Sequence, residues 1–195
     1  MNLVVDTETT GKADFKAPPE AEHQPRIVQL GALLEDDNGK EVASINLIVS
    51  PDGFEISDEV AAIHGIDQVK AVCYGVAIRR VMLLFADLWA CADKVVAHNI
   101  DFDLFMLDIE YSRLKLPKWG EERPCYCTMK LMTNICQLPL KYAPRSGEKE
   151  WKWPNMQEAH QKACGCNFDG GHDAMADVRA CGRVFRWLCE NGHIK

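Results

Sequence analysis

Leu3-Val4-Val5-Asp6-Thr7-Glu8-Thr9-Thr10-Gly11 opens the chain and governs how the rest is read. Leu3, Val4 and Val5 form an apolar, largely β-branched run, the pattern of a strand covered on both faces. Alternate side chains of a strand share a face, so Asp6 and Glu8 point one way and Thr7 the other. Two carboxylates held side by side repel unless a cation lies between them, and all-oxygen ligands suit Mg²⁺ or Mn²⁺. Thr9-Thr10-Gly11 then breaks the strand. Taken alone, Asp-x-Glu also reads as a strand end with a polar turn. The motifs further along the chain decide between the two.

Residues 12–25 are polar and contain Pro18, Pro19 and Pro25, the composition of a long, mobile loop. Arg26 to Leu34 reads as a second strand, Asn38-Gly39 as a hairpin signal, and residues 41–49 as a third strand pairing back on the second. The first three strands therefore predict an antiparallel meander. A short helix over residues 57–66 and a longer amphipathic one over about 75–92 come next, with Val81, Leu84, Phe85 and Leu88 at helical spacing. Lys94–Ala97 is a short strand, Asp101–Leu114 a helix, Pro124–Thr128 a fifth strand and Met129–Gln137 a helix. Further helices are expected from about Asn155 to Cys164 and from about Ala174 to Asn191. The fold class is α/β, a mixed five-stranded sheet with helices on both faces.

The length, 195 residues, fits one domain over residues 1–195. No stretch approaches the ~20 apolar residues of a membrane span, so no membrane partner is expected. The start lacks a basic-then-apolar leader pattern, and a cytoplasmic location is the expectation. A net charge of −7 argues against broad attraction to nucleic acid, without excluding an enzyme that neutralises its own acids with metal. The nine cysteines include Cys125-Tyr126-Cys127 and Cys164-Gly165-Cys166, the latter near His160. Cys-x-Cys is not the usual spacing of structural zinc, so reduced thiols are the expectation and a zinc site the alternative.

Two more constellations lie in the second half of the chain. His98-Asn99-Ile100-Asp101-Phe102-Asp103 sits where a strand gives way to a helix, a place α/β folds favour for ligands; its acids also read as a helix cap and first-turn charges. Gly170-Gly171-His172-Asp173-Ala174-Met175-Ala176-Asp177 offers Asp173 as an N-cap, with His172 just outside the helix and Asp177 one turn within it.

The ordered set Asp-x-Glu, His-Asn-x-x-Phe-Asp and His-x-x-x-x-Asp resembles the DEDDh branch of the 3′→5′ exonucleases, and looks like the proofreading epsilon subunit of bacterial DNA polymerase III and its phage-encoded relatives. The resemblance spans residue 3 to about residue 189, with support from Ile63-His64-Gly65-Ile66 and Cys127-Thr128. It implies a ribonuclease H-like fold and two Mg²⁺ or Mn²⁺ ions held by Asp6, Glu8, Asp103 and Asp177. It also implies His172 as general base, a role that suits imidazole, whose ordinary pKa is near ~6.5. The expected partner is single-stranded nucleic acid with a free 3′ end, DNA or RNA, with a polymerase or replication protein as a further candidate. A non-catalytic binding module is the alternative of another class.

By the same resemblance, Thr9, Thr10 and the His64 loop cradle the terminal nucleotide, with Ile66 packing against its base and Asn99 supporting the second motif. His64 reads equally as a neighbour of a helix C-cap. Two segments depart from compact relatives, the Lys12–Pro25 loop and a basic–aromatic insertion at 138–154. The insertion reads either as a strand-binding surface or as a packed lid. Arg179, Arg183 and Arg186 form a helical stripe that faces either nucleic acid or solvent.

Overall fold

The computed structural model describes residues 1–117, 120, 122–142 and 150–194. Five strands form one sheet in the order β3-β2-β1-β4-β5. Strands β1 (Asn2–Thr9), β2 (Ile27–Glu35) and β3 (Glu41–Ile48) make the antiparallel meander, with β1 opposite β2 from Asn2↔Glu35 to Thr9↔Ile27. On the other side of β1, β4 (Lys94–Ala97) and β5 (Cys125–Cys127) run parallel. The chain reaches β4 from the meander through α1 (Asp58–His64), α2 (Gln68–Tyr74) and α3 (Ile78–Ala90). The remaining helices are α4 (Ile100–Arg113), α5 (Thr128–Cys136), α6 (Met156–Cys164) and α7 (Ala174–Glu190). This is the ribonuclease H-like exonuclease fold.

The pleat sorts the sheet's side chains into two cores. Leu3, Val5, Leu30, Ala32, Leu34, Val95 and Ala97 pack with Val81, Phe85, Met106 and Ile109 of α3 and α4. Val4, Leu33 and Val96 point the opposite way, onto Val178, Cys181, Val184 and Phe185 of α7. All nine residues of β2 are buried, as a strand covered on both faces requires.

Several expectations change. The predicted helix over 75–92 is preceded by a separate helix, α2, capped by Asp67 through the Lys70 N–H. Gly75 divides them because a Cβ there would lie 2.4 Å from the Ser50 backbone nitrogen. The Asn38-Gly39 hairpin forms, but only Gly39 takes a positive φ, so the turn is type I followed by a left-handed glycine and not a two-residue primed turn. The Lys12–Pro25 segment is not a loose loop: Gln24 is buried, its amide donates to the Asp14 carbonyl, and Arg113 donates to the carbonyls of Gln24 and Pro25 at 2.6 and 2.8 Å. Glu110, wholly buried, accepts from Arg26 Nε and from the Ile27 N–H at 2.9 and 3.1 Å. These bonds fix where the segment rejoins the sheet.

The arginines of the α7 stripe are each taken up by a partner, Arg179 at the surface and Arg183 and Arg186 half-buried. Arg179 pairs with Glu41, Arg186 with the buried Glu35, and Arg183 Nε donates to His160 Nε2. His160 holds its other ring nitrogen against the Cys166 carbonyl at 2.8 Å, so neither nitrogen is left for zinc. All nine cysteines are free thiols. No helix of the described residues is long and apolar enough to cross a membrane.

Candidate active site

Where β4 stops, β1 continues. The last β1–β4 pair is Val4↔Val96, and the next residues of β1 carry the acids. The pleat puts Asp6 and Glu8 on the same face as Val4, the face covered by α7, and α7 supplies Asp177 from its first turn. Carboxylate oxygens of Asp6, Glu8 and Asp177 lie within 4.8 Å of one another. Thr7 points to the opposite face, with Val5, and there meets α4. Its N–H and its hydroxyl both donate to Asp103 Oδ1, at 3.0 and 2.8 Å. Asp103 thus takes up the edge of β1 that β4 no longer covers and lines the same cleft as the three clustered acids. Asp101, by contrast, is exposed and paired with Lys130, outside the cluster.

The N-terminus of α7 is seated by residues that the sequence did not single out. Gln29 lies opposite Glu8 in register and is buried. Its amide nitrogen donates to Asp173 Oδ2 and to Asn46 Oδ1, and its oxygen accepts the Ala174 N–H. Gly31, opposite Asp6, leaves no room for a side chain: a Cβ would stand 2.8 Å from the Ala174 carbonyl carbon and oxygen. Asp173 caps the helix as expected, through the Ala176 N–H. A glutamine inside an otherwise apolar buried strand, with glycine two residues later, was the available signal.

His172 adopts a left-handed backbone, φ 68°, and its N–H donates to Asp177 Oδ2 at 2.8 Å. The backbone of His172 is thereby tied to the acid cluster, and the residue, though exposed, lines the same cleft as the acids. His64 stands nearby: its Nδ1 accepts the Ile66 N–H at 3.1 Å, which places the ring proton on Nε2. That Nε2–H is buried and has no acceptor among the described residues. Burial, then Lys70 and His172, hold the His64 pKa below its ordinary value. Thr9 donates to the Gly11 carbonyl, and Thr10 Oγ1 accepts the Arg26 N–H while keeping its own proton to offer. Asn99 occupies the left-handed N-cap of α4, a conformation asparagine tolerates, and makes no capping bond.

Ile66 does not meet the cleft. It is 2% exposed, packed with Val28, Ile56 and Ala71, and so supports the His64 loop from beneath instead of facing a base. Beside the acids lie His98, Phe102 and Met156, lining a cleft of about 220 Å³ with Asp6, Glu8, His172 and Asp177. A larger concavity of about 560 Å³ sits at the far end of β1, lined by Asn2, Lys94 and Arg186. Converging chemistry, not size, selects the smaller one.

Burial first, and then one another's charge, makes the acids hard to ionise. Burial, followed by the charges of Asp103, Asp177 and Glu8, raises the Asp6 pKa well above the usual carboxylate range. Burial and Asp177 push Glu8 up to about 8; burial pushes Asp103 up to about 7, against the opposing Thr7 hydrogen bonds; burial raises Asp177. A set of acids that resists ionising alone, with oxygens already converged, fits divalent cations.

The exonuclease (RNase_T) family matches residues 3–185. The chain belongs to this family. No curated protein sequence matches it. Among solved structures, E. coli exonuclease I bound to a dT13 oligonucleotide is similar at TM-score 0.74 and 18% identity, over 96% of this chain and 40% of that one. Exonuclease X in complex with 5′ overhanging duplex DNA is similar at TM-score 0.63 and 24% identity, over 98% and 93%. The nuclease domain of 3′hExo, a DEDDh family member bound to rAMP, is similar at 0.70 and 16%, over 98% and 92%. The chain spans about two fifths of the length of exonuclease I.

Proposed function

We propose that this chain is a two-metal-dependent 3′→5′ exonuclease that releases 5′-mononucleotides from single-stranded DNA. The observation that carries the reading is the convergence of Asp6, Glu8 and Asp177 within 4.8 Å, with Asp103 of α4 lining the same cleft, beside a histidine whose backbone is anchored to Asp177. Those four acids would hold two Mg²⁺ or Mn²⁺ ions, which when bound polarise the scissile phosphate and neutralise charge in the transition state. His172 takes the proton from the attacking water as its oxygen joins phosphorus. The bond from phosphorus to the 3′-oxygen of the preceding nucleotide breaks, that oxygen leaves to be protonated, and the terminal nucleotide departs with its 5′-phosphate. His64 Nε2–H, a buried donor without a partner among the described residues, gives its hydrogen bond to the bound nucleotide, and Thr10 offers its hydroxyl from the other side. Thr9 and Asn99 shape that cradle through their backbones.

RNA trimming is the second reading, favoured by the rAMP bound to the similar 3′hExo domain. The site would then have to accommodate a 2′-hydroxyl. Likeness of the motifs to the epsilon subunit supports a proofreading setting with a polymerase partner. A module that only binds would be expected to lose an acid or the histidine, and all five positions are filled. The test is Asp6→Asn and Asp177→Asn. Each should abolish cleavage of a 3′-labelled strand with the circular dichroism spectrum intact. Undiminished turnover in either would sink the proposal.

A further inference from the structure

The 138–154 insertion separates in the structure into parts that can be assigned. Its middle, residues 143–149, lies outside the described residues. Its two limbs are joined by the Lys152 N–H donating to the Leu138 carbonyl at 2.9 Å. The second limb is pinned at several points. Lys152 Nζ bonds both oxygens of Glu158, and Glu158 also completes a capping box with Asn155 at the start of α6. His98 Nε2 bonds the Pro154 carbonyl at 2.9 Å while Nδ1 bonds Thr128 Oγ1 at 2.9 Å. A carbonyl only accepts, so the ring proton sits on Nε2, and the Thr128 hydroxyl donates to Nδ1. The limb is therefore tied through His98, which follows β4 and lines the catalytic cleft, to the start of α5.

On this fixed limb Trp153 is 62% exposed, and Tyr142 on the other limb is 77% exposed. Trp is seldom left so open when packing alone decides its place. Trp151, Trp153 and Leu140 line an open cleft against Thr133 and Asn134 of α5. The surface lies close to the active site: Met156 and His98 line the catalytic cleft, and Trp153 is three residues before Met156, so their Cα atoms are at most about 10 Å apart. A nucleic acid strand whose end reaches the acids carries its next bases across ground within that distance. The exposed face is aromatic, and stacking does not need charge, which suits a chain whose net charge of −7 argues against broad attraction to nucleic acid.

We infer that Trp153 is a base-stacking platform, which grips the single strand a short distance 5′ of the nucleotide being removed. The inference rests on the exonuclease reading for its occupant, a nucleobase of the substrate. Stacking is tolerant of sequence because every base has a π-face, so the platform suits an enzyme that shortens any strand. It also assigns His98 a positioning role: its neutral ring holds the carbonyl next to Trp153, and burial keeps its pKa low.

Two assays on the full chain test this separately from the chemistry. Binding of fluorescein-labelled dT8 is read by anisotropy in EDTA, so that nothing is cut. Hydrolysis of the p-nitrophenyl ester of thymidine 5′-phosphate, which has no upstream base, is read with Mn²⁺. Trp153→Ala should raise the dissociation constant about 5- to 150-fold, and Trp153→Phe, which keeps a ring, should recover most of it. Ester hydrolysis should be unchanged in both. Equal dT8 affinity in wild type and Trp153→Ala overturns the platform, and so does a matching loss of ester hydrolysis, which would mean a disturbed catalytic cleft. Absence of ester hydrolysis in the unaltered protein strikes the exonuclease reading instead, while the affinity comparison still decides the platform.

Discussion

Gly31→Ala isolates the seating of α7 on the sheet from the chemistry of the acids. Gly31 faces Asp6 across the β1–β2 pair, and its missing side chain admits the first residue of α7. An added Cβ would stand 2.8 Å from both the carbonyl carbon and the oxygen of Ala174. Ordinary carbon contacts begin near ~3.5 Å, so α7 must retreat by roughly 0.7 Å. The atoms in the way are backbone, so no rotamer change relieves them, and Ala174→Gly added to the variant should not rescue it. Overpacking of this kind costs about 1–3 kcal/mol. The retreat carries His172 and Asp177 away from Asp6 and Glu8, and a misplacement of about 1 Å is worth about 10²-fold in rate. The assay compares turnover of the thymidine ester with urea unfolding. The expected result is a folded protein of slightly lower midpoint and strongly reduced kcat. Wild-type turnover in Gly31→Ala would refute the claim that this contact sets the site.

The same geometry sets four further expectations. In EDTA, stability should fall as pH rises from about 6.5 to about 8: Glu8, at about 8, and Asp103, at about 7, stay partly protonated in the fold after the unfolded chain has lost those protons. That window lies above the range where His64 and His98, both lowered, would act in the opposite direction. Saturating Mg²⁺ should raise Tm most at about pH 8, because the ion binds only the ionised acids of the folded state, and a metal-free Tm that climbs with pH would contradict this. Asp6→Asn removes one mutually repelling charge, so the inactive variant should melt higher than wild type in EDTA at about pH 8; a lower Tm would mean that the acids do not oppose folding. Glu110→Ala leaves Arg26 and Arg113 without their buried partner and should cost about 3–5 kcal/mol, read as a drop in the urea midpoint, with faster proteolysis within residues 12–25; an unchanged midpoint would remove the clamp from the account.

How far the sequence carried depended on the range of the forces involved. The alternation of Val4-Val5-Asp6-Thr7-Glu8 is local, and it correctly sent Asp6 and Glu8 to one face and Thr7 to the other. The Asp173 cap and the glycine stop of α1 are equally local and formed as read. What stayed hidden was long-range. Nothing near Gln29 announces that it will meet Asp173, 144 residues away, and nothing near Arg183 announces His160. The resemblance implied a base contact for Ile66, yet its apolar side chain lies in the small core with Val28, Ile56 and Ala71. Spacing alone made the α7 arginines a stripe; the acids that Arg186 and Arg179 meet come from β2 and β3, across the fold. Helix α2, between the two helices read over residues 57–66 and 75–92, was not read at all, although its Asp67 cap is local.

The central claim is that four acids and His172 cut a strand from its 3′ end with divalent metal. The most direct measurement incubates the protein with a strand labelled on its 3′-terminal nucleotide, DNA and RNA in parallel, with Mg²⁺, with Mn²⁺ or with EDTA. The account predicts metal-dependent release of labelled 5′-mononucleotide as the first product, faster from DNA and absent in EDTA. A folded sample that releases none from either polymer, or releases it equally well in EDTA, would contradict it.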